Sequence, residues 1–323
     1  MSFGQLKPIV GGQSVEGHDY PFVVYLSIET QPSWHAVCGG TLISDRHIVT
    51  AGHCLVHAHT PQAIRIGYGS THVHRQTSIR AANYTIHPQF NPRTLFNDIA
   101  IIELSESNRI RPTSLAHRIP IYFGSVDPGM VLTTMGWGIT SNKPDARTVA
   151  VMNRVDLSVA MDGDCRRVDG AFASSNGPFV CTDTADRKGG SRDQCNGDSG
   201  SPAVVDMGAA DVRSARRGRW WRWRARRQAR GGRMDLRLVA LTSYGDNIRH
   251  DEHPACGDPS GFGFSTHVAH YEEFITRVTG LTRHQLELPV LPDRQVRWVF
   301  VDRGRSSCCL LSSLAETALR LLK

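Results

Sequence analysis

The chain has 323 residues and carries 37 Lys and Arg against 30 Asp and Glu, a formal net charge of +7. The length allows one large β domain or two small ones, and no apolar run reaches the roughly 18 residues of a membrane span. Residues 206–233 alone hold ten Arg and two Asp, a net charge of +8. The remainder is close to neutral, which argues against a generally basic protein that binds nucleic acid.

Short Val- and Ile-rich runs alternate with turn residues along most of the chain, which is typical of an all-β protein. The predicted strands are residues 22–28, 41–43, 47–50, 63–66, 99–104, 131–136, 202–205, 238–243 and 263–266. Apolar residues then recur at helical spacing from Tyr271 to Val278, and Gly280 ends the run. This pattern predicts a helix over about 268–280.

Residues 195–202 are CNGDSGSP, with Ser199 in a glycine-rich turn. A serine hydroxyl becomes a strong nucleophile when a base takes its proton and backbone N–H groups stabilise the oxyanion that forms. The same composition also suits an ordinary surface turn, because Gly, Asp and Ser are common turn residues.

Two motifs upstream favour the catalytic interpretation. His53 lies in TAGHC at 50–54, and Asp98 lies in NDIAIIEL at 97–104, each beside a predicted strand. A histidine is the natural general base near neutral pH, and a carboxylate fixes its tautomer. The order His53, Asp98, Ser199 is that of the chymotrypsin-like arrangement, and differs from the orders of α/β-hydrolases and subtilisin.

Further motifs follow the same order along the chain. They are IVGG at 9–12, CGGTLI at 38–43, GWG at 136–138 and SYG at 243–245. With these motifs the chain resembles the trypsin/chymotrypsin family of serine proteases over about residues 9–280. The resemblance implies an all-β fold of two six-stranded Greek-key barrels, about 9–120 and 130–267, with a closing C-terminal helix.

The resemblance also implies a role for each site residue. Ser199 is the expected nucleophile, His53 the general base and acid, and Asp98 the orienting carboxylate. The N–H groups of Gly197 and Ser199 are the expected oxyanion hole. The expected substrate-binding residues are Asp193, Ser243, Gly245 and Gly263, and Ser243 is also expected to hydrogen-bond the buried Asp98. Asp193 would pair with Arg or Lys of the substrate, and Gln194 beside it departs from the usual small residue.

Activation is expected to follow cleavage before Ile9, which would free an α-amino group to pair with Asp198. Residues 1–8 would then be a pro-segment, and Pro8 departs from the Lys or Arg that trypsin-like activators need. The family register pairs Cys38 with Cys54, Cys165 with Cys181, and Cys195 with Cys256. Disulfides indicate an oxidising compartment, so we expect a secreted protein, although residues 1–8 are too short and polar for a signal peptide.

Asn83 begins the glycosylation sequon Asn83-Tyr84-Thr85. We expect no cofactor and no metal. The histidines at 57, 59, 72 and 74 lack strict ligand spacing with a supporting carboxylate, and residues 66–79 contain no carboxylate for calcium. The expected partners are protein or peptide substrates and protein protease inhibitors, and we expect a monomer.

Residues 206–233 and 281–323 lie outside the resemblance. Arg interleaved with Trp at 220–224 can bind anionic lipid or stack on nucleic-acid bases. We favour the simpler interpretation of a surface insertion between two strands, and assign no role to the C-terminal extension. The alternative function is a catalytically inactive homologue that binds a partner. Such homologues usually lose a triad residue, and all three are present here.

Overall fold

The computed structural model describes residues 11–15, 19–31, 34–139, 142–143, 147–185, 192–210, 234–251 and 254–288. The described residues all belong to one compact unit, and residues 289–323 lie outside the described part of the chain. The predicted pro-segment, Ile9 and the Arg/Trp-rich centre of the insertion also lie outside it. Within the described ranges, no helix is long and apolar enough to cross a membrane.

The described residues form two antiparallel β-sheets. In chain order the strands are β1 (Gln13–Ser14), β2 (Val23–Gln31), β3 (Trp34–Leu42), β4 (His47–Thr50), β5 (Ile64–Tyr68), β6 (Thr77–Arg80), β7 (Asn83–Ile86), β8 (Ala100–Glu103), β9 (Val131–Gly136), β10 (Asn153–Val159), β11 (Phe179–Asp183), β12 (Pro202–Asp206), β13 (Leu236–Asn247) and β14 (Gly261–His267).

The N-terminal sheet has the order β6-β5-β2-β3-β4-β8-β7 and forms a curled half-barrel. The C-terminal sheet has the order β1-β10-β11-β14-β13-β12-β9, and an additional β10–β9 pairing closes six of its strands into a barrel. Together with the C-terminal helix, this architecture confirms the predicted chymotrypsin-like fold class. Alternate side chains of β10 are buried, as expected for a strand with one face on the core.

Strand β1 joins the C-terminal sheet, where Gln13 pairs with Arg154 and Ser14 with Asn153. The predicted N-terminal barrel, about residues 9–120, included this segment. Both residues of β1 are exposed, so they lack the apolar alternation that identifies a strand and its face. The N-terminal segment therefore runs along the second barrel before the chain enters the first sheet.

The four described helices are short: α1 (Asp162–Val168), α2 (Met207–Ala210), α3 (Glu272–Thr279) and α4 (Arg283–Glu287). Helix α3 follows a 3-10 turn and ends at Gly280, whose φ of 68° closes a left-handed C-cap. Helix α4 begins with a capping box between Thr282 and Gln285. Leu286 of α4 is buried in the core, so the compact unit extends beyond the predicted end at residue 280.

Candidate active site

Ser199 lies in a tight turn, residues 195–201, that leads into β12. The two glycines of the turn have left-handed backbones, with φ of 95° at Gly197 and 73° at Gly200, a conformation that other residues rarely adopt. A Cβ atom on Gly200 would also overlap Oγ1 of Thr50. Glycine at this position therefore lets the serine turn pack directly against the end of β4.

Backbone hydrogen bonds hold Ser199 between the two sheets. Its carbonyl accepts the N–H of Gly39 in β3 at 2.8 Å, and the next N–H along the chain donates to Thr242 in β13 at 2.8 Å. The Oγ1 of Thr50 donates to the same Gly39 at its carbonyl, also at 2.8 Å. These contacts bring the serine turn to the strand end that leads into His53.

His53 and Asp98 are in direct contact. His53 lies in a 3-10 turn after β4, and Asp98 precedes β8, which pairs with β4. Nδ1 of His53 is 2.8 Å from Oδ2 of Asp98, and the His53 backbone N–H donates to Oδ1 at 2.8 Å. With an Nδ1–H donated to the carboxylate, Nε2 keeps a lone pair that can accept a proton. The His53 side chain is 27% exposed and that of Asp98 is 0% exposed, so only the base is open to a substrate.

Two hydroxyl groups from the C-terminal sheet support the buried Asp98. Ser243 Oγ donates to its Oδ2 at 2.6 Å, and Thr266 Oγ1 donates to its backbone carbonyl at 2.9 Å. The β13–β14 register shifts between residues 242 and 244, and such a bulge redirects the side chain of the extra residue, here Ser243. A buried carboxylate is costly without hydrogen bonds, and Ser243 supplies one to the Asp98 side chain while Thr266 holds its backbone. Ser243 was expected here, whereas Thr266 was missed, since a threonine within a strand gives no distinguishing sequence signal.

Asp193 has a carboxylate that accepts a backbone hydrogen bond from the loop between β13 and β14. Its Oδ2 accepts the N–H of Gly257 at 2.8 Å. Burial raises the pKa of Asp193 to about 7, while backbone N–H groups of Gly257 and Gln194 act to lower it. A cation placed beside this carboxylate would favour its ionised form. The Nε2 of Gln194 is buried and has no hydrogen-bond partner within the described part of the chain.

Gly245 and Gly263 face each other across β13 and β14. A Cβ atom on Gly263 would lie 3.0 Å from Oγ1 of Thr182, closer than an ordinary contact, whereas one on Gly245 would meet Phe262 at 3.7 Å. The neighbouring Tyr244 stacks on an aromatic ring of β14 and donates to a carboxylate of the segment after α1, at 2.6 Å. A side chain at either position would therefore meet a neighbouring group, most closely at Gly263.

Asp198 is buried behind the serine turn. Its Oδ1 accepts the N–H of Gly138 at 2.8 Å, and its Oδ2 accepts the N–H of Cys195 at 3.0 Å. Burial raises the pKa of Asp198 to about 6, against the lowering effect of these two bonds. A Cβ atom on either Gly136 or Gly138 would overlap the carboxylate. The GWG motif therefore has a physical role, because its glycines make room for Asp198.

A family model described as trypsin matches residues 9–219, well over half of the chain. The chain belongs to the trypsin family. It is 31% identical to Trypsin 5G1 of Aedes aegypti, over 61% of this chain and 71% of that protein. It is 30% identical to Cathepsin G of Homo sapiens, over 61% of this chain and 74% of the relative. A Chymotrypsin of Phaedon cochleariae is 28% identical, over 61% and 69% of the two chains.

Trypsin-family membership makes this chain a protease at the level of the family. The similarity is nearly equal for relatives named trypsin and chymotrypsin, so overall identity does not assign the residue before the cleaved bond. Disulfides join Cys38 to Cys54, Cys165 to Cys181, and Cys195 to Cys256, which are the pairs that the resemblance implies. Three disulfides in one compact unit are typical of proteins that fold in an oxidising compartment.

One cluster has the composition of a metal site. Ligand atoms of Cys38, His53 and Cys54 lie within 4.8 Å of one another. Both sulfur atoms belong to the Cys38–Cys54 disulfide, so neither is the thiolate that a metal requires. This cluster therefore does not contradict the expectation that no metal is bound, which stays a prediction.

Asn83 is exposed at the first position of β7, an edge strand of the N-terminal sheet. An exposed asparagine at a sheet edge is accessible to a glycan without disturbing the core.

The structure thus brings together the contacts of His53, Asp98 and Ser243, and places the Ser199 turn against the same strand end. The predicted partner of Asp198, Ile9, lies outside the described residues.

Proposed function

We propose that this protein is a serine endopeptidase that cleaves peptide bonds after Arg or Lys through a Ser-His-Asp triad. The main support for the proposal is that His53 and Ser243 both hydrogen-bond Asp98, close to the turn of Ser199, which backbone hydrogen bonds hold in place. Incubation with an active-site serine reagent, followed by peptide mapping, tests it directly. Labelling confined to Ser199, with parallel loss of amide hydrolysis, is the expected result.

In the proposed chemistry, each group has the role that the resemblance to the trypsin family implies. His53 Nε2 takes the proton from Ser199 Oγ as the oxygen attacks the scissile carbonyl carbon. The N–H groups of Gly197 and Ser199 stabilise the resulting oxyanion. The imidazolium, held by Asp98, then protonates the leaving amine and leaves an acyl-enzyme. Water, deprotonated by His53, attacks that ester, and the acid product departs as Ser199 regains its proton.

The proposed preference for Arg or Lys is supported by Asp193, a carboxylate held by Gly257 and flanked in the chain by Gln194. We expect Asp193→Ser to lower kcat/KM for Arg and Lys amide substrates by roughly 10²–10³-fold, since removing one partner of a buried ion pair costs about 3–5 kcal/mol. The measurement compares Arg, Lys and Phe substrates with wild type and variant.

Turnover of the Phe substrate is the internal control for the Asp193 variant, because that side chain offers no cation to the pocket. It should change by less than about tenfold. A wild-type enzyme that prefers Phe or Leu would contradict the assignment of Asp193 as the specificity residue.

We also propose that the protein is secreted as a monomeric zymogen, activated by cleavage before Ile9, and glycosylated at Asn83. Protein protease inhibitors that occupy the substrate cleft are the expected regulatory partners. The three disulfides and the exposure of Asn83 support secretion and glycosylation. The intact set of His53, Asp98 and Ser199 favours an enzyme over an inactive homologue.

The insertion at 206–233 is proposed to be dispensable for folding and catalysis. Its two ends meet in a β-hairpin, since Asp206 pairs with Leu236 and the N–H of Met207 donates to Asp235 at 2.8 Å. Deleting residues 208–232 therefore leaves a short connection between Met207 and Asp235, which are already adjacent. The shortened protein should keep its melting temperature and kcat/KM while losing most of the excess charge.

Binding to heparin and to anionic vesicles separates the two interpretations of the insertion. Loss of binding with retained catalysis would identify 208–232 as an accessory binding element. Loss of folding after the deletion would contradict the insertion hypothesis itself.

A further inference from the structure

The loop between β13 and β14 is organised around the buried side chain of Asn247. Its Nδ2 donates to Oδ2 of Asp251 at 2.8 Å and to Oδ2 of Asp258 at 3.1 Å. Its Oδ1 accepts the backbone N–H groups of Arg249 at 3.1 Å and Asp251 at 3.2 Å. One amide at the end of β13 thus accepts two backbone N–H groups from the start of the loop and donates to two carboxylates, one near the start of the loop and one near its end.

Arg249 connects the same two carboxylates through its guanidinium group. Its Nε and NH2 donate to Oδ2 of Asp251 at 3.1 and 2.9 Å, and NH2 also pairs with Oδ2 of Asp258. NH1 donates to Oγ of Ser260 at 3.3 Å. A single cation therefore spans the loop from its first turn to its last, and it lies between two like charges that would otherwise repel each other.

Gly257 directly precedes Asp258, which Asn247 and Arg249 hold in place. Its φ of 75° is left-handed, which sets the direction of the N–H that donates to Asp193 at 2.8 Å. On one side, Cys256 is held by its disulfide and by two hydrogen bonds with Asn142, of 2.9 and 3.0 Å. On the other side Asp258 follows directly, so a displacement of Asp258 would also move Gly257 and the N–H that it donates to Asp193.

Asp258 has two further anchors besides Arg249 and Asn247. Its Oδ1 accepts the N–H and the Oγ of Ser260, each at 2.8 Å, and its carbonyl accepts Oγ1 of Thr184 at 2.6 Å. The hydrogen bonds from Ser260 lead a set that holds the pKa of Asp258 at about 2. Asp258 is therefore ionised at any working pH, and the Arg249 cation always faces a charged partner.

We propose that Arg249 is a positioning residue for the substrate pocket: it holds the Asp251–Asp258 pair so that the Gly257 N–H stays on Asp193. The proposal rests on the proposed role of Asp193 in receiving the basic side chain of the substrate. Arg249 touches neither the triad nor the proposed oxyanion groups. Its loss should therefore weaken the binding of basic substrates without slowing the chemical step.

The test compares Arg249→Gln with wild type on Arg and Phe amide substrates, at concentrations of active enzyme set by titration with a serine reagent. We expect KM for the Arg substrate to rise on the order of tenfold, as for a weakened hydrogen bond to a charged group, with kcat within about twofold. KM and kcat for the Phe substrate should both stay within about twofold of wild type. Arg277→Gln is the matched control, because Arg277 is also exposed and pairs with Glu273 at 3.6 Å on α3, in a different part of the unit.

Two further variants separate positioning from a general loss of structure. In an Asp193→Ser background, Arg249→Gln should change KM for the Arg substrate by less than about twofold, because the acceptor of the Gly257 bond is gone. Adding Asp251→Asn to Arg249→Gln removes one of the two repelling charges and should restore most of the lost affinity.

Three results would overturn the positioning role. They are an unchanged KM in Arg249→Gln, an equal rise in KM for Arg and Phe substrates, and an undiminished effect in the Asp193→Ser background. Failure of the proposed function is distinguishable, because it would appear in the wild type. An enzyme that reacts with the serine reagent but does not prefer Arg or Lys contradicts the role of Asp193 before any Arg249 variant is measured.

Discussion

Replacing Ser199 with alanine is expected to lower kcat for amide hydrolysis on the order of 10⁴-fold or more, with the fold intact. The substitution removes only Oγ. The bonds that hold the turn, from Gly39 to the Ser199 carbonyl and from the next N–H to Thr242, are made by backbone atoms and remain. Turnover of a peptide amide and the thermal melting temperature, measured on the same preparation, check both halves of the expectation.

Ser201 supplies the control for this substitution within the same turn. Its Oγ is buried and has no hydrogen-bond partner among the described residues, so Ser201→Ala removes a hydroxyl of the same kind without breaking a bond. We expect this variant to keep turnover within about threefold of wild type, because removing an unpaired polar group loses no net interaction. Wild-type turnover in Ser199→Ala would show that another group is the nucleophile.

The fold was predictable from the sequence where consecutive residues of a strand are buried. Strands β4, β8, β9 and β12 were each predicted within one residue of their observed bounds, and nearly all of their residues are buried. Strand β10, which buries only alternate side chains, was not predicted. Strand β1 could not be predicted, since it consists of two exposed residues whose only structural signal is the pairing with β10. Helix α4 was missed for a similar reason: only Leu286 among its five residues is buried.

The site residues that lie in local motifs were likewise predictable, whereas those that act through distant contacts were not. His53, Asp98 and Ser199 lie in short motifs whose composition limits their chemistry, and the resemblance assigned them roles. Thr266 and Arg249 act on residues far from them in the chain or across a loop, where neither spacing nor composition marks the contact. Such contacts depend on sheet register and on loop conformation, which single-sequence patterns leave undetermined.

A protein that begins at Ile9 is expected to be active, and the chain with residues 1–8 attached is expected to have little activity. In the trypsin family the freed α-ammonium pairs with the aspartate beside the nucleophile, here Asp198. The carboxylate of Asp198 is buried and bonded to the N–H groups of Gly138 and Cys195, and burial raises its pKa to about 6. A buried carboxylate without a cationic partner is destabilising, so the uncut chain should hold this region less firmly.

Turnover of the two forms, matched for concentration and with their N-termini sequenced, tests the activation hypothesis. Trypsin should activate the longer form poorly, because Pro8 stands where a Lys or Arg is required before the cut. Equal and high activity from a chain that still carries residues 1–8 would rule out this mechanism. Addition of a short peptide beginning Ile-Val to the longer form should restore part of the activity, because it supplies the missing ammonium.

Asp198→Asn is expected to change the pH dependence of stability in the longer form and to abolish turnover in the Ile9-start form, which makes it a direct test of the buried charge. In the longer form, the folded pKa of Asp198 of about 6 exceeds its unfolded value of about 4. Its contribution to stability is therefore complete below pH 4 and is lost as the pH rises through 6, by at most about 3 kcal/mol. The asparagine variant should lack this pH dependence of stability, and it should also lose one of the hydrogen bonds from Gly138 and Cys195, because an amide NH2 group cannot accept an N–H. In the Ile9-start form the same substitution removes the partner of the ammonium and should abolish turnover. Urea unfolding at pH 4 and pH 7, together with turnover of both forms, measures the two effects. If the variant abolishes turnover of the Ile9-start form but leaves the pH dependence of stability of the longer form unchanged, that pH dependence does not arise from Asp198.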